Sequence, residues 1–244
     1  MIDIVIVAAG KGSRMEPYTF EKPKCLVPIR GKPLIEHQLD MLKGFAENIN
    51  DIIIVTGHKD RELRNYFRKT YHGKVHYVYN DIYDKTECGY SMMLGITESK
   101  NDVLCIVGDV LFTKDNIMKL MYNRKSCLLV RPPKPTKTGQ KVIMRCNKIT
   151  DIGLGGIHSY DAEAVGPYKL TKLHIKKLIH EYQRLDEDGQ RNVHCYSMLG
   201  LLCKRYAIDG IWINDDEWLE VDTLEDWKFA NLLFDNLLKK SKEL

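Results

Sequence analysis

Residues 2–14 read IDIVIVAAGKGSR, a short apolar run followed by a turn of small residues. The nearly continuous apolar character of residues 2–8 predicts a strand that is covered on both faces of its sheet. Because this run is short and carries Asp3 near its start, we expect a core strand rather than a secretory signal peptide. The glycines that follow permit backbone conformations that aim successive N–H groups at an anion.

Strand and helix patterns alternate through the first half of the chain. This β-α-β-α order predicts an α/β fold of three layers (α/β/α), with a mostly parallel, doubly wound, Rossmann-like sheet and right-handed crossovers. Ligands of such sheets bind at the carboxyl ends of the strands, so the loops after Val7, Tyr79 and Val107 are candidate binding loops. The further predicted strands are 52–55, 75–79, 103–107 and 127–130, and the predicted helices are 33–46, 59–70, 89–99 and 114–122.

The second half of the chain, residues 132–244, has a less regular pattern. No internal repeat and no change of composition separates it from residues 1–131. We therefore expect residues 1–244 to form a single domain, whose second half inserts a subregion into the same sheet. The predicted elements of this half are a mobile loop at 132–139, a hairpin over 141–153, an amphipathic helix over 171–185, short strands over 208–213 and 218–221, and a last helix over 224–240.

Composition excludes several classes of protein. The 244 residues are 44% hydrophobic and 29% charged, which is ordinary for a globular chain with a large core. The net charge of +4 is too small for a nucleic-acid coat, and no apolar run is long enough to span a membrane. The seven cysteines are scattered and form no CxxC pair, so we expect reduced core cysteines of a cytoplasmic protein and no structural zinc site.

The loop after the first strand is a candidate phosphate cradle. Its backbone from Gly10 to Ser13 can approach a ligand closely, and Arg14 and Lys24 add positive charge. The third glycine of GxGxxG is missing and no GxxxxGK[ST] occurs, which disfavours a dinucleotide site and a P-loop kinase or ATPase. Two glycines are weak evidence by themselves, since ordinary strand-to-helix turns also use them.

A longer motif around this loop resembles a known family. Residues 8–28, AAGKGSRMEPYTFEKPKCLVP, resemble the AAGxG[ST]R and PKxLxP signature of nucleotidyltransferases that activate sugar phosphates and related phosphomonoesters, and the run GKPLI at 31–35 continues the match. The resemblance implies the nucleotide-diphospho-sugar transferase type of fold. It also implies a cytoplasmic enzyme that uses Mg²⁺, with a nucleoside triphosphate and a small phosphorylated acceptor as substrates. Residues 1–131 would then bind the nucleotide, and residues 132–244 the acceptor.

The resemblance assigns roles around the nucleotide. Arg14 and Lys24 would be catalytic, with Arg14 on the outer phosphates and Lys24 between the α-phosphate and the incoming phosphate. The run Gly89-Tyr90-Ser91 resembles cytidylyltransferases acting on inositol phosphate, phosphocholine or phosphonates, which favours CTP, although it also fits a plain helix start. The implied nucleotide-binding residues are Ala8, Ala9, Gly10, Lys11, Gly12, Ser13, Asn80, Gly89, Tyr90 and Ser91.

Three acids are candidate metal ligands. Asp109 follows a buried strand, and Glu220 and Asp222 alternate along another, so the last two side chains share one face. Carboxylates on one face repel unless a cation lies between them, and Mg²⁺ prefers oxygen ligands. The resemblance implies that Asp109, which would also be catalytic, and Asp222 hold Mg²⁺, with Glu220 as a further ligand. The plainer alternatives are a helix cap for Asp109 and a solvent-facing acid for Glu220, and we expect Asp226 on a helix face.

Two further residues are candidate acceptor contacts. Glu163 and Tyr168 resemble the acceptor-side segment of the family, although Tyr168 also fits a core position. Sugar nucleotidyltransferases often carry a Glu-Lys-Pro segment shortly before it, whereas this chain has IGLGG at 152–156. This difference disfavours a hexose-1-phosphate acceptor.

Together the residues and the resemblance predict a Mg²⁺-dependent nucleotidyltransferase. It would couple CTP to a small phosphomonoester or phosphonate, release pyrophosphate, and form a CDP-linked or CMP-linked precursor of a cell-surface polysaccharide or phospholipid. One alternative is a sugar-1-phosphate nucleotidyltransferase using UTP, dTTP or GTP. Another is a degenerate nucleotide-binding regulatory protein, which the four charged residues Arg14, Lys24, Asp109 and Asp222 argue against. Homo-oligomer formation stays open.

Overall fold

The computed structural model describes residues 1–71, 73–134, 139–153 and 159–240. The strands are β1 (Ile2–Ala8), β2 (Pro28–Ile29), β3 (Lys32–Pro33), β4 (Ile49–Thr56), β5 (His76–Tyr79), β6 (Asp102–Val107), β7 (Val110–Phe112), β8 (Cys127–Arg131), β9 (Gln140–Arg145), β10 (Lys148–Gly153), β11 (Ala162–Leu170), β12 (Ile208–Trp212) and β13 (Trp218–Glu220). The α-helices are α1 (Leu34–Leu42), α2 (Asp60–Thr70), α3 (Cys88–Glu98), α4 (Lys114–Met121), α5 (Lys172–Gln183), α6 (Glu187–Asn192), α7 (Cys195–Cys203) and α8 (Leu224–Lys240).

Nine strands form one central sheet in the order β5-β4-β1-β6-β11-β8-β12-β10-β9. The strands β5, β4, β1 and β6 are all parallel neighbours, and β8 is parallel to β12. Within this sheet, β11 and β10 run in the direction opposite to that of the other seven strands. The sheet is therefore mixed but mostly parallel in direction, which confirms the predicted α/β fold.

The strand β1 lies in the middle of the core. All seven of its residues are buried, and alternate side chains join two different apolar clusters. Val5 and Val7 pack in a cluster that contains residues of α3, α5 and α7, whereas Ile4 and Ile6 pack in one that contains residues of α1, α2 and α4. Helices thus cover both faces, because a strand that is apolar on both sides must be shielded from water on both sides.

A third apolar cluster joins the two ends of the chain. Met15 and Val27, from the segment after β1, pack with Val221 before α8 and with Phe234 in α8. All four side chains are buried to 98% or more. This cluster holds the last helix against the first loop, so residues from opposite ends of the sequence come together beside the sheet.

The second half of the chain departs from its predicted elements in two places. The strand β11 lies antiparallel between β6 and β8, and α6 and α7 occupy a stretch for which no helix was predicted. The hairpin over 141–153 and the last helix over 224–240 are confirmed. Residues 135–138 of the predicted mobile loop and 154–156 of the IGLGG segment lie outside the described residues.

No helix among the described residues is long and apolar enough to cross a membrane.

Candidate active site

A cleft of about 220 Å³ opens at the carboxyl ends of β1 and β6. These strands pair in parallel with Val7 opposite Val107, so their following loops start at the same edge of the sheet. The lining includes Gly10, Gly12 and Ser13 of the first loop, the basic residues Arg14 and Lys24, the acids Asp109 and Asp222, and Cys88. The sequence thus correctly predicts the edge of the sheet where polar groups collect.

Four charged side chains meet in this cleft. The Nζ atom of Lys24 lies 3.0 Å from Oδ2 of Asp109 and also donates a hydrogen bond to Oδ1 of Asp222. The other carboxylate oxygen of Asp222 lies 2.8 Å from a guanidinium nitrogen of Arg14. Lys24 is the most enclosed of the four, since only 14% of its side chain is exposed. The structure therefore brings together the four charged residues that the motif and the strand ends pointed to.

The ion pairs hold Lys24 and Asp222 in their charged forms. Burial by itself lowers the pKa of Lys24, but the negative charges of Asp109 and Asp222 outweigh it and raise that pKa above its ordinary value. For the acid Asp222 the signs are reversed. Burial by itself raises its pKa, but the positive charges of Lys24 and Arg14 outweigh this effect and lower that pKa. The cleft thus presents fixed charges of both signs at neutral pH.

Glu220 faces the same group of charges. Desolvation and repulsion from Asp109 and Asp222 raise the pKa of this carboxyl group to about 7, although Lys24 partly opposes the shift. The side chain nevertheless stays exposed at the edge of the site. Three carboxylates that repel one another, all with oxygen donors, are the ligand type that Mg²⁺ takes from proteins. The residues present therefore fit the ion that the sequence predicts.

Close backbone contacts hold the two binding loops in place. Gly12 has a φ of +64°, and a Cβ atom there would lie 2.9 Å from Cβ of Lys24. The backbone N–H of Gly108 donates to the carbonyl oxygen of Val7 at 2.9 Å, and a Cβ at Gly108 would lie 2.5 Å from that oxygen. Glycine at both positions lets the first loop pack against Lys24 and the end of β6 pack against β1.

Asp226 stabilises the turn that carries Asp222, which the sequence analysis did not predict. Its Oδ2 accepts hydrogen bonds from the backbone N–H of Asp222 at 3.1 Å and of Thr223 at 2.8 Å, and Thr223 Oγ1 accepts from the N–H of Asp226 at 3.1 Å. This reciprocal pattern is a capping box at the start of α8. The spacing Thr-x-x-Asp before an apolar helix is the signal that identifies it, whereas a helix-face position for Asp226 was expected.

Two of the predicted phosphate-loop residues point elsewhere. The exposed side chain of Lys11 has its Nζ 3.9 Å from Oδ2 of Asp84. Ala9 is buried, and its carbonyl oxygen accepts a hydrogen bond from the N–H of His58 at 2.9 Å. Among the described residues, neither side chain lines the cleft. Ala9 thus supports the loop from behind, and Lys11 lies at its outer side.

Asn80 and Ser91 contact each other rather than the cleft. Asn80 is fully buried, and its side-chain amide donates to Ser91 Oγ at 2.9 Å and to Thr86 Oγ1 at 3.0 Å. These bonds tie the end of β5 to the start of α3. Gly89 is buried against Val193, and Tyr90 is half-buried. In the structure as described, none of the four predicted base-side residues lines the cleft, so their nucleotide contact stays a prediction.

Glu163 and Tyr168 lie inside the protein. The carboxylate of Glu163 is 1% exposed and accepts hydrogen bonds from Nε of Arg131 at 3.0 Å and Nη2 at 2.6 Å. Tyr168 is 2% exposed and packs with its ring centre 6.2 Å from that of Tyr196. Neither borders the cleft among the described residues. Every residue of β11 is buried, so both side chains lie in the protein interior, and their contact with an acceptor stays a prediction.

A cluster of two cysteines and a histidine also borders the cleft. The thiol of Cys88 accepts a hydrogen bond from the backbone N–H of Cys195 at 3.2 Å. A hydrogen bond from the Cys195 side chain, aided by His194 and opposed by burial, lowers the pKa of Cys88 to about 5. Burial by itself lowers the pKa of His194, but the adjacent Cys88 outweighs it and raises that pKa. Spacing does not predict this cluster, because its members lie on two distant segments.

Comparison with known proteins places the chain in a family. The model of the MobA-like NTP transferase domain matches residues 4–154, which is more than half of the 244 residues. A CTP:phosphoglutamine cytidylyltransferase of Campylobacter jejuni is 27% identical over 251 aligned positions, which cover 92% of this chain and 97% of that protein. A choline-phosphate cytidylyltransferase of Streptococcus pneumoniae is 39% identical over 108 positions, or 44% of this chain and 45% of that protein.

A solved structure supports the same fold. The structure of the CTP:phosphocholine cytidylyltransferase from Streptococcus pneumoniae superimposes with a TM-score of 0.80 at 24% sequence identity, covering 96% of this chain and 99% of that one. The aligned region includes both halves of the chain. With the charged cleft described above, these similarities show that the chain belongs to the MobA-like NTP transferase domain family and is a nucleotidyltransferase.

Proposed function

We propose that this enzyme transfers a cytidylyl group from CTP to a small phosphorylated acceptor and releases pyrophosphate. The observation that carries the proposal is the ammonium group of Lys24 between the carboxylates of Asp109 and Asp222, with Arg14 on the far side of Asp222. The names of the two relatives, both of which are cytidylyltransferases, support CTP as the donor. The same names support a small acceptor.

The proposed reaction is an in-line displacement at phosphorus. An oxygen of the acceptor phosphate attacks the α-phosphorus of CTP, and the bond to the β-phosphate oxygen breaks as pyrophosphate leaves. The acceptor phosphate is already ionised near neutral pH, so the enzyme needs no general base. Such chemistry depends on positioning and on neutralising the charge of the phosphoryl oxygens.

The first loop and its two cations would supply that neutralisation. Gly10, Gly12 and Ser13 line the cleft, and the backbone from Gly10 to Ser13 would hold the β- and γ-phosphates through its N–H groups. Arg14 would bind the same phosphates. Lys24, held between the two loops, would contact both the α-phosphate and the acceptor phosphate. Binding of the substrate phosphates would draw both cations from their carboxylate partners, since the same positive groups serve both.

Release of those carboxylates would leave them free for a metal ion. Asp109 and Asp222 would hold Mg²⁺, and Glu220 lies close enough to interact with both. A bound Mg²⁺ would polarise the α-phosphate and neutralise charge that develops there. The donor set is all oxygen, which matches the preference of this ion.

The acceptor is proposed to be a small phosphomonoester or phosphonate of the phosphocholine, aminoethylphosphonate, inositol phosphate or phosphorylated amide type. The product would be a CDP-linked or CMP-linked compound that a later transferase uses for a cell-surface polysaccharide or a phospholipid. The proposal keeps the reaction in the cytoplasm and leaves homo-oligomer formation open. A hexose-1-phosphate with UTP, dTTP or GTP is the alternative substrate pair, and it uses the same charged cleft.

An assay of pyrophosphate release tests this proposal directly. CTP, UTP, dTTP, ATP and GTP would each be tested with Mg²⁺ against phosphocholine, aminoethylphosphonate, inositol phosphate, phosphorylated amides including phosphoglutamine, and hexose-1-phosphates. We expect turnover with CTP and one of the small acceptors. Turnover only with a hexose-1-phosphate would retain the nucleotidyl transfer and reject the acceptor class.

A matched variant separates catalysis from binding. Asp109→Asn preserves the size of the side chain and removes its charge, so it should abolish turnover while nucleotide binding, measured by calorimetry, persists. Binding of CTP by the unaltered protein without turnover for any acceptor would instead support the degenerate regulatory reading and contradict the proposal.

A further inference from the structure

Three potential metal ligands converge next to the cleft. One side-chain atom each of Cys88, His194 and Cys195 lies within 4.8 Å of the other two. Cys88 and His194 are half-buried and Cys195 is buried. The cluster lies outside the carboxylate group of the active site, although Cys88 lines the same cleft. Its ligand atoms are sulfur and nitrogen, whereas those of the proposed Mg²⁺ site are oxygen.

The spacing of these atoms suits a tetrahedral metal ion. Zn–S bonds of about 2.3 Å and Zn–N bonds of about 2.0 Å place neighbouring ligand atoms of a tetrahedral site about 3.5 to 3.8 Å apart. The Sγ atom of Cys195 lies 3.8 Å from Nδ1 of His194. Contraction of the cluster by about 1 Å or less would therefore close it around an ion.

Backbone hydrogen bonds hold the two segments that supply the ligands. The N–H of Glu87 donates to the carbonyl oxygen of Arg191 at 2.8 Å, and the N–H of Gly89 donates to that of Val193 at 3.1 Å. The start of α3 thus runs alongside the start of α7, which places Cys88 opposite Cys195. A Cβ atom at Gly89 would lie 2.3 Å from the carbonyl oxygen of Val193. This approach requires glycine, so the fold holds the two ligand-bearing segments together before any ion binds.

We propose that Cys88, His194 and Cys195 form a second metal site, for a soft divalent ion such as Zn²⁺, on the border of the catalytic cleft. Thiolate and imidazole ligands select Zn²⁺ over Mg²⁺, which keeps the two sites chemically separate. With three protein ligands, a fourth position of the ion stays open for water or a substrate group. The site would thus add a Lewis-acidic group to a cleft whose remaining ligands are oxygen donors.

Cobalt binding tests the site without relying on activity. Co²⁺ in a thiolate site gives an intense sulfur-to-metal charge-transfer absorption, which Co²⁺ bound by carboxylates alone does not give. We expect the reduced protein to bind one Co²⁺ with this absorption, and Zn²⁺ to displace it stoichiometrically. Zn²⁺ should also raise the melting temperature, because an ion that binds only the folded state stabilises it.

Three variants assign the ligands. Cys88→Ser and Cys195→Ser each replace one sulfur by oxygen and should remove most of the charge-transfer absorption. Cys146→Ser changes an exposed cysteine outside the cluster and should leave the absorption intact. Asp222→Asn should leave it intact as well, since that carboxylate belongs to the other site. Circular dichroism of each variant verifies that it is folded.

The intensity of the thiolate-to-Co²⁺ absorption in these variants determines whether the proposal holds. Equal absorption in Cys88→Ser and in the unaltered protein would overturn it, as would the absence of any thiolate band after reduction. If both cluster variants fail to fold, His194→Ala supplies the second test. This change leaves both sulfurs in place and should weaken Co²⁺ binding by at least tenfold, and unchanged affinity would contradict the site.

Discussion

The carboxylate of Asp226 accepts a hydrogen bond from the backbone N–H of Asp222 at 3.1 Å. The same oxygen binds the N–H and the hydroxyl group of Thr223 at 2.8 Å each. Asp226 thereby fixes the turn between β13 and α8, and this turn directs the Asp222 carboxylate toward Lys24 and Arg14. A residue outside the cleft lining thus determines where one of the charges of the cleft lies.

Asp226→Ala should lower both stability and turnover. Loss of a helix cap costs about 1 kcal/mol of unfolding free energy, and a displaced Asp222 should reduce kcat/KM by about tenfold, or about 1.4 kcal/mol. Glu225→Ala, which changes an exposed acid in the same turn, is the matched control. Asp226→Asn retains one acceptor oxygen and should recover part of the activity. If Asp226→Ala lowers stability alone, its effect on Asp222 is refuted.

Lys24→Ala and Arg14→Ala should each cost about 3 kcal/mol of transition-state stabilisation, by analogy with removal of one donor from a preorganised anion site. This loss corresponds to a decrease in kcat/KM of more than a hundredfold. Steady-state kinetics of pyrophosphate release measure the loss. The control is Lys43→Ala, which changes an exposed lysine directly after the last residue of α1 and should have no effect. A loss below tenfold in both cleft variants would show that neither cation contacts the reacting phosphates.

Glu220 should make stability depend on pH in the absence of divalent metal. Its pKa is about 7 in the folded protein, above the ordinary value of 4.5. The folded state therefore holds this proton more tightly than the unfolded state, and the contribution of Glu220 to stability falls as pH rises from about 4.5 to 7. Glu220→Gln should remove this part of the pH dependence. Thermal unfolding from pH 4 to pH 8 in a chelator measures it.

The control for this titration is Glu225→Gln, which changes an exposed acid on the first turn of α8. Its pH dependence should match that of the unaltered protein. If Glu220→Gln also matches, Glu220 does not hold a proton near neutral pH.

Gly89→Ala should destabilise the protein by about 1 to 3 kcal/mol, the usual range for an overpacked interior. The added methyl would meet the carbonyl oxygen of Val193, which is backbone and has little room to shift. Gly153→Ala is the control, because a Cβ atom there meets nothing within 4 Å. Urea unfolding compares the two variants. Equal stability would show that the segments around Cys88 and Cys195 separate easily.

The sequence allowed the charged core of the site to be predicted because two kinds of local signal agree there. The AAGxG[ST]R and PKxLxP motif singled out Arg14 and Lys24, and the end of a buried strand singled out Asp109. Alternation with Glu220, together with the family resemblance, singled out Asp222. Asp109 follows β6 of the central sheet, whose parallel strands place their carboxyl ends at one edge. Asp222 follows β13, which pairs with β7 in a separate two-stranded sheet. The position of Asp222 therefore depends on the β7–β13 pairing and on the packing of α8, which the fold class alone does not supply.

Residues whose roles depend on distant partners were not predictable. Asn80 and Ser91 have the polar character of ligand contacts, yet they bind each other, and the pairing of β5 with α3 decides this. Glu163 is a charged residue in a strand, but Arg131 on the neighbouring strand occupies its carboxylate. Contacts of this kind arise from register between elements, which periodicity within one element does not encode.

The order of synthesis has a consequence for a nascent chain. Asp222 lies 198 residues after Lys24, and at about 5–20 residues per second a ribosome needs about 10 to 40 s to add them. Through that interval the emerging chain carries the first loop with Arg14 and Lys24, but it lacks Asp222 and α8. The charged cleft therefore cannot be complete until Asp222 and α8 have been synthesised and α8 has docked against the first loop.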